Sequence, residues 1–254
     1  MDRVEIFIFY NFSLIKETAS PYSYIHARLP VKMSGMELIF QEENFLVKKL
    51  TSHDDMEAAL RLRHDIFREE LKWVPPLPDG LDRDEYDAFA HSLGIFEDRG
   101  ELVGHVRLIP APLPYMIEKD FACLLPKDKP FKKVPGMAES TRICVKKEFR
   151  KTPIGTLTLA HLLYKAIYHW CLIHDTRYLV TIIEQRYYIY LKRFFPFEQV
   201  GDFLPLGDGV MSGIVLLDWR AFESKASQHR PEFFNWISNL PPLVPSRSLQ
   251  HGFY

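Results

Sequence analysis

The chain has 254 residues, enough for one large α/β domain with a sizeable core. Its formal net charge of −1 argues against a general nucleic-acid binder, because phosphate recognition needs a basic excess. Three dispersed cysteines, Cys123, Cys144 and Cys171, form no C-x-x-C pair, so neither a metal site nor a disulfide framework is expected and a reducing cytoplasm fits.

The first residues carry Asp2, Arg3 and Glu5 but no basic region or small-residue cleavage site, so no signal peptide is expected. The uncharged run 152–164 is too short to span a bilayer, and no membrane partner is expected. Residues 1–43 read as an N-terminal extension: a candidate strand from Val4 to Phe12, then turn formers at Pro21, Pro30 and Gly35. The domain is expected over 44–240, with a tail over 241–254.

Phe45 to Leu50 reads as a strand. Ser52 and Asp55 then give a helix-start signal. The helix that follows carries Met56, Leu60, Arg63, Phe67 and Leu71 at steps of three and four, so Arg63 and Phe67 share the apolar face. Arg63 either packs by its stem with its charge at a rim, or holds a ligand or an ion pair. Pro75, Pro76, Pro78 and Gly80 force a loop. Trp73 precedes that loop, and Asp82, Asp84, Glu85 and Asp87 crowd its end. Acidic loops are usually solvated, but carboxylates beside an aromatic plate also suit a cationic ligand.

Two strands follow, 91–97 and 102–109, joined by a turn at Asp98, Arg99 and Gly100. Arg107 alternates with Val106 and Leu108 and so points to the opposite sheet face. Met116 to Leu125 reads as a short helical segment with Phe121. Ala138 to Val145 reads as a strand with Glu139, Thr141, Ile143 and Val145 on one face and Ser140, Arg142 and Cys144 on the other. Two charges in so short a strand form either an internal ion pair or part of a site. Thr156 to His174 is apolar nearly all round and is expected to be a buried helix. Tyr178 to Ile183 is a buried strand, Glu184 to Phe195 a helix, 197–200 and 212–217 a closing strand pair, and 219–228 and 231–240 terminal helices. This order predicts an α+β fold of three layers, α/β/α, around a mixed, mainly antiparallel sheet. No G-x-G-x-x-G, Walker A, H-E-x-x-H or G-x-S-x-G sequence occurs, so dinucleotide binding and nucleophilic hydrolysis have no support.

Arg63-x3-Phe67-x5-Trp73-x10-Asp84-x2-Asp87, followed by Arg107, Phe121 and Glu139-x2-Arg142, resembles the LuxI-type acyl-homoserine-lactone synthases. The resemblance runs from about Phe45 to Leu217 and implies a GCN5-related N-acetyltransferase fold. It also implies the activity: an acyl thioester, on acyl carrier protein or coenzyme A, acylates the amine of S-adenosylmethionine. The product then lactonises and releases methylthioadenosine. No permanently bound cofactor is implied.

Under that resemblance Arg63, Phe67, Trp73, Asp84, Asp87, Arg107 and Phe121 bind S-adenosylmethionine. Glu139 assists proton loss from the amine, or else pairs with Arg107 or Arg142, and Arg142 shares the catalytic centre. Ile143, Cys144 and Val145 contact the acyl donor. The basic cluster Lys146, Lys147, Arg150 and Lys151 either docks the donor's carrier or is a solvated turn. Arg150 is followed by Lys151, Thr152 and Pro153, so the first glycine of the acetyltransferase phosphate loop is missing. Two alternatives stay open: an N-acyl amino acid synthase, and a non-catalytic acyl-carrier or acyl-lipid binding module.

Overall fold

The computed structural model describes residues 38–239, apart from 129 and 208. The expected strand at Val4 to Phe12, the extension before 38 and the tail over 241–254 lie outside the described residues. The first strand, β1 (Ile39–Glu42), forms an antiparallel hairpin with β2 (Phe45–Lys49), in the register Ile39↔Lys48 to Glu42↔Phe45. The sheet therefore starts before residue 44. The turn at Glu43 takes a φ of 50, which closes the two-residue loop.

Ser52 caps α1 (His53–Arg63) by accepting the Asp55 N–H at 3.1 Å, as its S-x-x-D sequence predicts. The helix does not run on in α-register. His64–Glu70 is π-helical, and the Leu71 N–H reaches back to the Ile66 carbonyl. Further along lie a 3₁₀ turn (Glu85–Ala88), β3 (His91–Phe96), β4 (Leu102–Pro110), α2 (Met116–Lys119) and β5 (Met137–Val145). The small hairpin of β6 (Pro153–Ile154) and β7 (Leu157–Thr158) leads into α3 (Leu159–Ile173). After it come β8 (Tyr178–Glu184), α4 (Gln185–Leu191), β9 (Glu198–Gln199), β10 (Leu204–Leu206), β11 (Val210–Asp218), α5 (Trp219–His229) and α6 (Pro231–Ser238).

The main sheet has the order β1-β2-β3-β4-β5-β8-β11-β10, with β9 on β11. Only β5 and β8 run parallel. The α3 face holds the larger core, where Val47, Val106 and Leu108 meet Leu162, Leu163 and Ile167. On the α1 face, Ala59, Leu62 and Phe67 pack on Leu50, Leu102 and Cys144. A third cluster seats α2 on Ile109, Met137 and Val180. This is the expected three-layer α+β arrangement. No helix among the described residues is long and apolar enough to cross a membrane.

Two irregularities in β5 shape the middle of the sheet. First, the β4–β5 register jumps from His105↔Cys144 to Arg107↔Thr141, so Arg142 and Ile143 together oppose Val106. Arg142 sits at a φ of 52 within this bulge. Strict alternation therefore fails there. Arg142 turns to the same side as Glu139 and Arg107, Cys144 joins the α1 core, and Ile143 and Val145 pack toward α3. Second, β5 and β8 pair only from Met137↔Tyr178 to Ser140↔Thr181. Beyond Ser140 the two strands part, and β8 continues against β11 instead.

The first strand and the last helix of the described residues meet at Lys165. Its Nζ, almost fully buried on α3, lies 2.8 Å from Glu42 Oε2, while Trp236 of α6 donates to Glu42 Oε1 at 2.9 Å. Lys165→Met would strand the Glu42 carboxylate and should destabilise the domain by about 3 kcal/mol in urea unfolding. Adding Glu42→Leu should recover most of that loss.

Candidate active site

The residues singled out on α1, the acidic loop and the sheet converge on one buried network. Arg63, at the C-terminal end of α1, has no exposed surface. Its Nε donates to Asp82 Oδ2 at 2.9 Å, and its two terminal nitrogens grip Asp87 at 2.7 and 3.2 Å. Arg107, from β4, is equally buried. It donates to Asp87 Oδ1 at 2.7 Å, to Asp84, and to the Thr141 hydroxyl at 2.9 Å. Arg142, turned inward by the bulge, donates to Asp82 Oδ2 at 2.8 Å and Asp84 Oδ2 at 3.3 Å. Paired forks of this kind satisfy both ions where little water is at hand: Arg63, Arg107 and Asp82 are fully buried, and Arg142, Asp84 and Asp87 keep only a small exposed fraction.

Asp82 is the shared acceptor. Its carboxylate has no exposed surface and also takes a 2.7 Å bond from Arg68 Nε in the π-helical segment. Arg68 in turn donates to the Pro75 carbonyl and so ties down the proline loop. Asp84 and Asp87 serve twice. Asp84 accepts the Tyr86 N–H at 3.0 Å and Asp87 accepts the Asp84 N–H at 2.9 Å, which caps the 3₁₀ turn that presents them. Burial alone would raise the Asp82 carboxyl, but Arg142 and Arg63 outweigh it and hold it far below the carboxylate range. The same balance, with Arg63 as the main counterweight, lowers Asp87. Four arginines face three aspartates, leaving one positive charge in excess.

Phe67 and Trp73 form the wall beside this network, with ring centroids 5.9 Å apart. The Arg142 guanidinium lies 5.5 Å from the Phe67 ring centroid. Trp73 is 52% exposed and is left open on its outer side. Phe121 packs in the α2 cluster, its N–H on the Met116 carbonyl.

Glu139 lies beside the arginines without bonding them, near enough for the Arg107 charge to lower it. Its carboxylate is fully buried and accepts the Met116 N–H at 2.6 Å and the Ile117 N–H at 3.1 Å, at the start of α2. Neither Arg107 nor Arg142 bonds it, so its expected alternative as an ion-pair partner does not describe this site. Burial pushes its pKa up to about 7, against the lowering pull of the two backbone N–H groups.

The expected donor residues do not form one surface. Cys144 is buried under α1, its thiol pushed up to about 12 by burial. Ile143 packs on the α3 side of the sheet, as does Val145. In the basic cluster, Lys146 pairs with Glu101. Arg150 grips Glu70 of the π-helical segment at 2.8 and 2.6 Å and donates to the Val145 carbonyl at 3.1 Å. Lys147 and Lys151 are exposed. Asp82, Arg68, Glu70 and His105 were not singled out from the sequence. Asp82 reads like any other acid of its loop, and only its burial separates it from the exposed Glu85.

The family model described as autoinducer synthase matches residues 47–218. The chain belongs to the autoinducer synthase family. Among its relatives, an acyl-homoserine-lactone synthase of Agrobacterium fabrum is 31% identical over 172 residues, which is 64% of this chain and 79% of that protein. The structure of a CoA-dependent acyl-homoserine lactone synthase, BjaI, with MTA is 27% identical, covers 76% of this chain and 86% of that one, and superposes with a TM-score of 0.62. BjaI is also known with SAM and isopentyl-CoA. An N-acyl amino acid synthase, FeeM, is 16% identical, covers 72% of this chain and 96% of that one, and has a TM-score of 0.53, a likeness of fold alone. The autoinducer synthase match spans the Arg63–Asp87 segment, Glu139 and the bulge at Arg142 together.

Three outcomes follow from the charges. Asp82→Asn leaves three guanidiniums short of a carboxylate and should cost about 3–5 kcal/mol in denaturant unfolding. Asp82 and Asp87 are lowered on folding, so their stabilisation is complete above about pH 4 and is lost as pH falls through their folded values. Glu139 has the opposite sign. Raised from 4.5 to about 7, it makes the fold less stable as pH climbs through that window. Between about pH 5 and 8 the parent should therefore lose more stability than Glu139→Gln, measured by thermal unfolding.

Proposed function

We propose that this chain transfers an acyl group from a thioester to the amine of S-adenosylmethionine and closes the product to an N-acyl-homoserine lactone. The observation that carries this reading is the buried Glu139 carboxyl, poised near neutral pH beside an arginine-rich network in a member of the autoinducer synthase family. An ammonium cannot attack a thioester; it must first lose a proton. A carboxylate with a pKa near 7 accepts that proton, directly or through one water, at the pH of the cell. Arg142 meets the substrate carboxylate with the network's excess positive charge, while Phe67 and Trp73 face the sulfonium. Arg63, Arg107, Asp84 and Asp87 hold this wall in place, and Phe121 closes it near α2.

Beyond Ser140 the unpaired edge of β5 offers backbone N–H groups to the oxyanion of the tetrahedral intermediate. Its collapse forms the amide and expels the thiol. The carboxylate oxygen of the acylated product then attacks the carbon next to the sulfonium, breaks that C–S bond and releases methylthioadenosine. The reading includes a cytoplasmic enzyme without nucleic-acid or membrane partners.

The donor is a thioester on acyl carrier protein or coenzyme A. Arg150 is engaged by Glu70, and the Gly155 N–H by Glu43 Oε1 at 2.9 Å. A carrier phosphate arriving at either group must displace a carboxylate, which favours a donor recognised mainly through its pantetheine arm and its protein surface.

Incubation with S-adenosylmethionine and a panel of acyl thioesters should yield methylthioadenosine and acyl-homoserine lactone in equal amounts, read by mass spectrometry. An N-acyl amino acid formed without methylthioadenosine would instead assign the chain to the other acylating activity on this fold. Glu139→Gln should lower kcat by about 10²- to 10⁴-fold, and the parent's kcat should rise with pH through about 7.

A further inference from the structure

His105 is a buried polar group that the proposed reaction does not use. It lies on β4 opposite Cys144, with no exposed surface. Its Nδ1 is 3.1 Å from the Arg142 carbonyl oxygen. A carbonyl only accepts, so the proton of this bond sits on Nδ1. The other ring nitrogen, Nε2, is then an acceptor, and it is buried with no hydrogen-bond partner. Burial, with Arg63 and Arg107 nearby, lowers the imidazole to about 3 and keeps it neutral. A leucine would fill the same space with no stranded nitrogen, so the bond to Arg142 is the feature of this side chain that an apolar residue would lack.

The place of that bond gives it meaning. Arg142 is the left-handed residue of the β5 bulge, where two residues oppose Val106 and the ladder is interrupted. A non-glycine residue holds such a φ only when its surroundings fix it. The guanidinium at the far end of the same residue meets Asp82, Asp84 and the Phe67 ring. We propose that His105 is a positioning residue: by donating its Nδ1–H to the Arg142 carbonyl it locks the bulge and so aims the Arg142 guanidinium into the acceptor site. This rests on the proposed acyl transfer for its kinetic consequence but not for its structural one. His105 touches no substrate and acts only through Arg142.

The test uses the full chain, ¹⁵N-labelled on histidine, with His105→Asn and His105→Leu. Asparagine keeps a side-chain N–H near the position of Nδ1; leucine keeps only the volume. In the parent, the His105 nitrogens should show the Nδ1–H tautomer at neutral pH. His105→Asn should keep kcat within about threefold, while His105→Leu should lower kcat by about 10- to 100-fold, the penalty of a misplaced catalytic group. The two variants should melt at similar temperatures. An Nε2–H tautomer overturns the inference whatever the activity. So does a leucine variant with parental kcat, or an asparagine variant as impaired as the leucine one. A parent that releases no methylthioadenosine with any thioester sinks the acyl-transfer reading instead, and the tautomer then decides this inference alone.

Discussion

The Asp82 carboxylate, closed off from solvent, accepts from three guanidiniums that arrive from three places: Arg63 at the end of α1, Arg68 in the π-helical segment and Arg142 in β5. None of these ions tolerates burial alone, and each is satisfied only while the others are in position. The acidic loop, the end of the first helix and the centre of the sheet are therefore held to one another by mutual need. Asp84 and Asp87 extend the same logic to Arg107 on β4. A site built this way is preorganised, because its side chains are already locked before any ligand arrives.

The rest of the site hangs on departures from regular structure. The π-register after Arg63 lengthens the turn that presents Phe67 and Arg68. The bulge in β5 brings Arg142 round to the side of Glu139. The parting of β5 from β8 frees a strand edge in the middle of a continuous sheet. Each irregularity costs backbone hydrogen bonds or strain, and each lies against the residues that do chemistry in the proposed reaction. The Arg150–Glu70 pair joins two of them, since it links the π-helical segment to the Val145 carbonyl at the end of β5. The π-helical segment that carries Phe67 and the free edge of β5 thus share a mechanical connection across a sequence separation of 80 residues.

Much of the fold was legible from pattern. The cap at Ser52, the hairpin turn at Gly100, the all-round apolar helix and the strand–helix–strand return all follow from local rules, because each depends on neighbours in sequence. What pattern missed was nonlocal or irregular. β1 is short, follows a stretch of sequence rich in turn-forming residues, and gains its strand character from pairing with β2 and from burying Phe40. The face of Arg142 was misread because a bulge breaks the period of two without a glycine or proline to mark it. In the site, Arg63, Asp84, Asp87, Arg107 and Arg142 were legible as charges that packing does not explain. Asp82 and His105 were not, because their roles come from burial and partners that no spacing encodes.

By itself, the sequence determined which residue types are available: a buried-face arginine, an aromatic plate, a cluster of acids, and two charges in a central strand. It also determined the periodicities that build an α+β sheet with helices on both faces. Only the tertiary structure decided which acid is the shared acceptor, that Glu139 bonds the backbone of α2 rather than an arginine, and that Arg150 is already engaged by Glu70. The reason is physical. A charged side chain's state depends on its distance from water and from every other charge, and those distances are set by chain segments tens of residues apart.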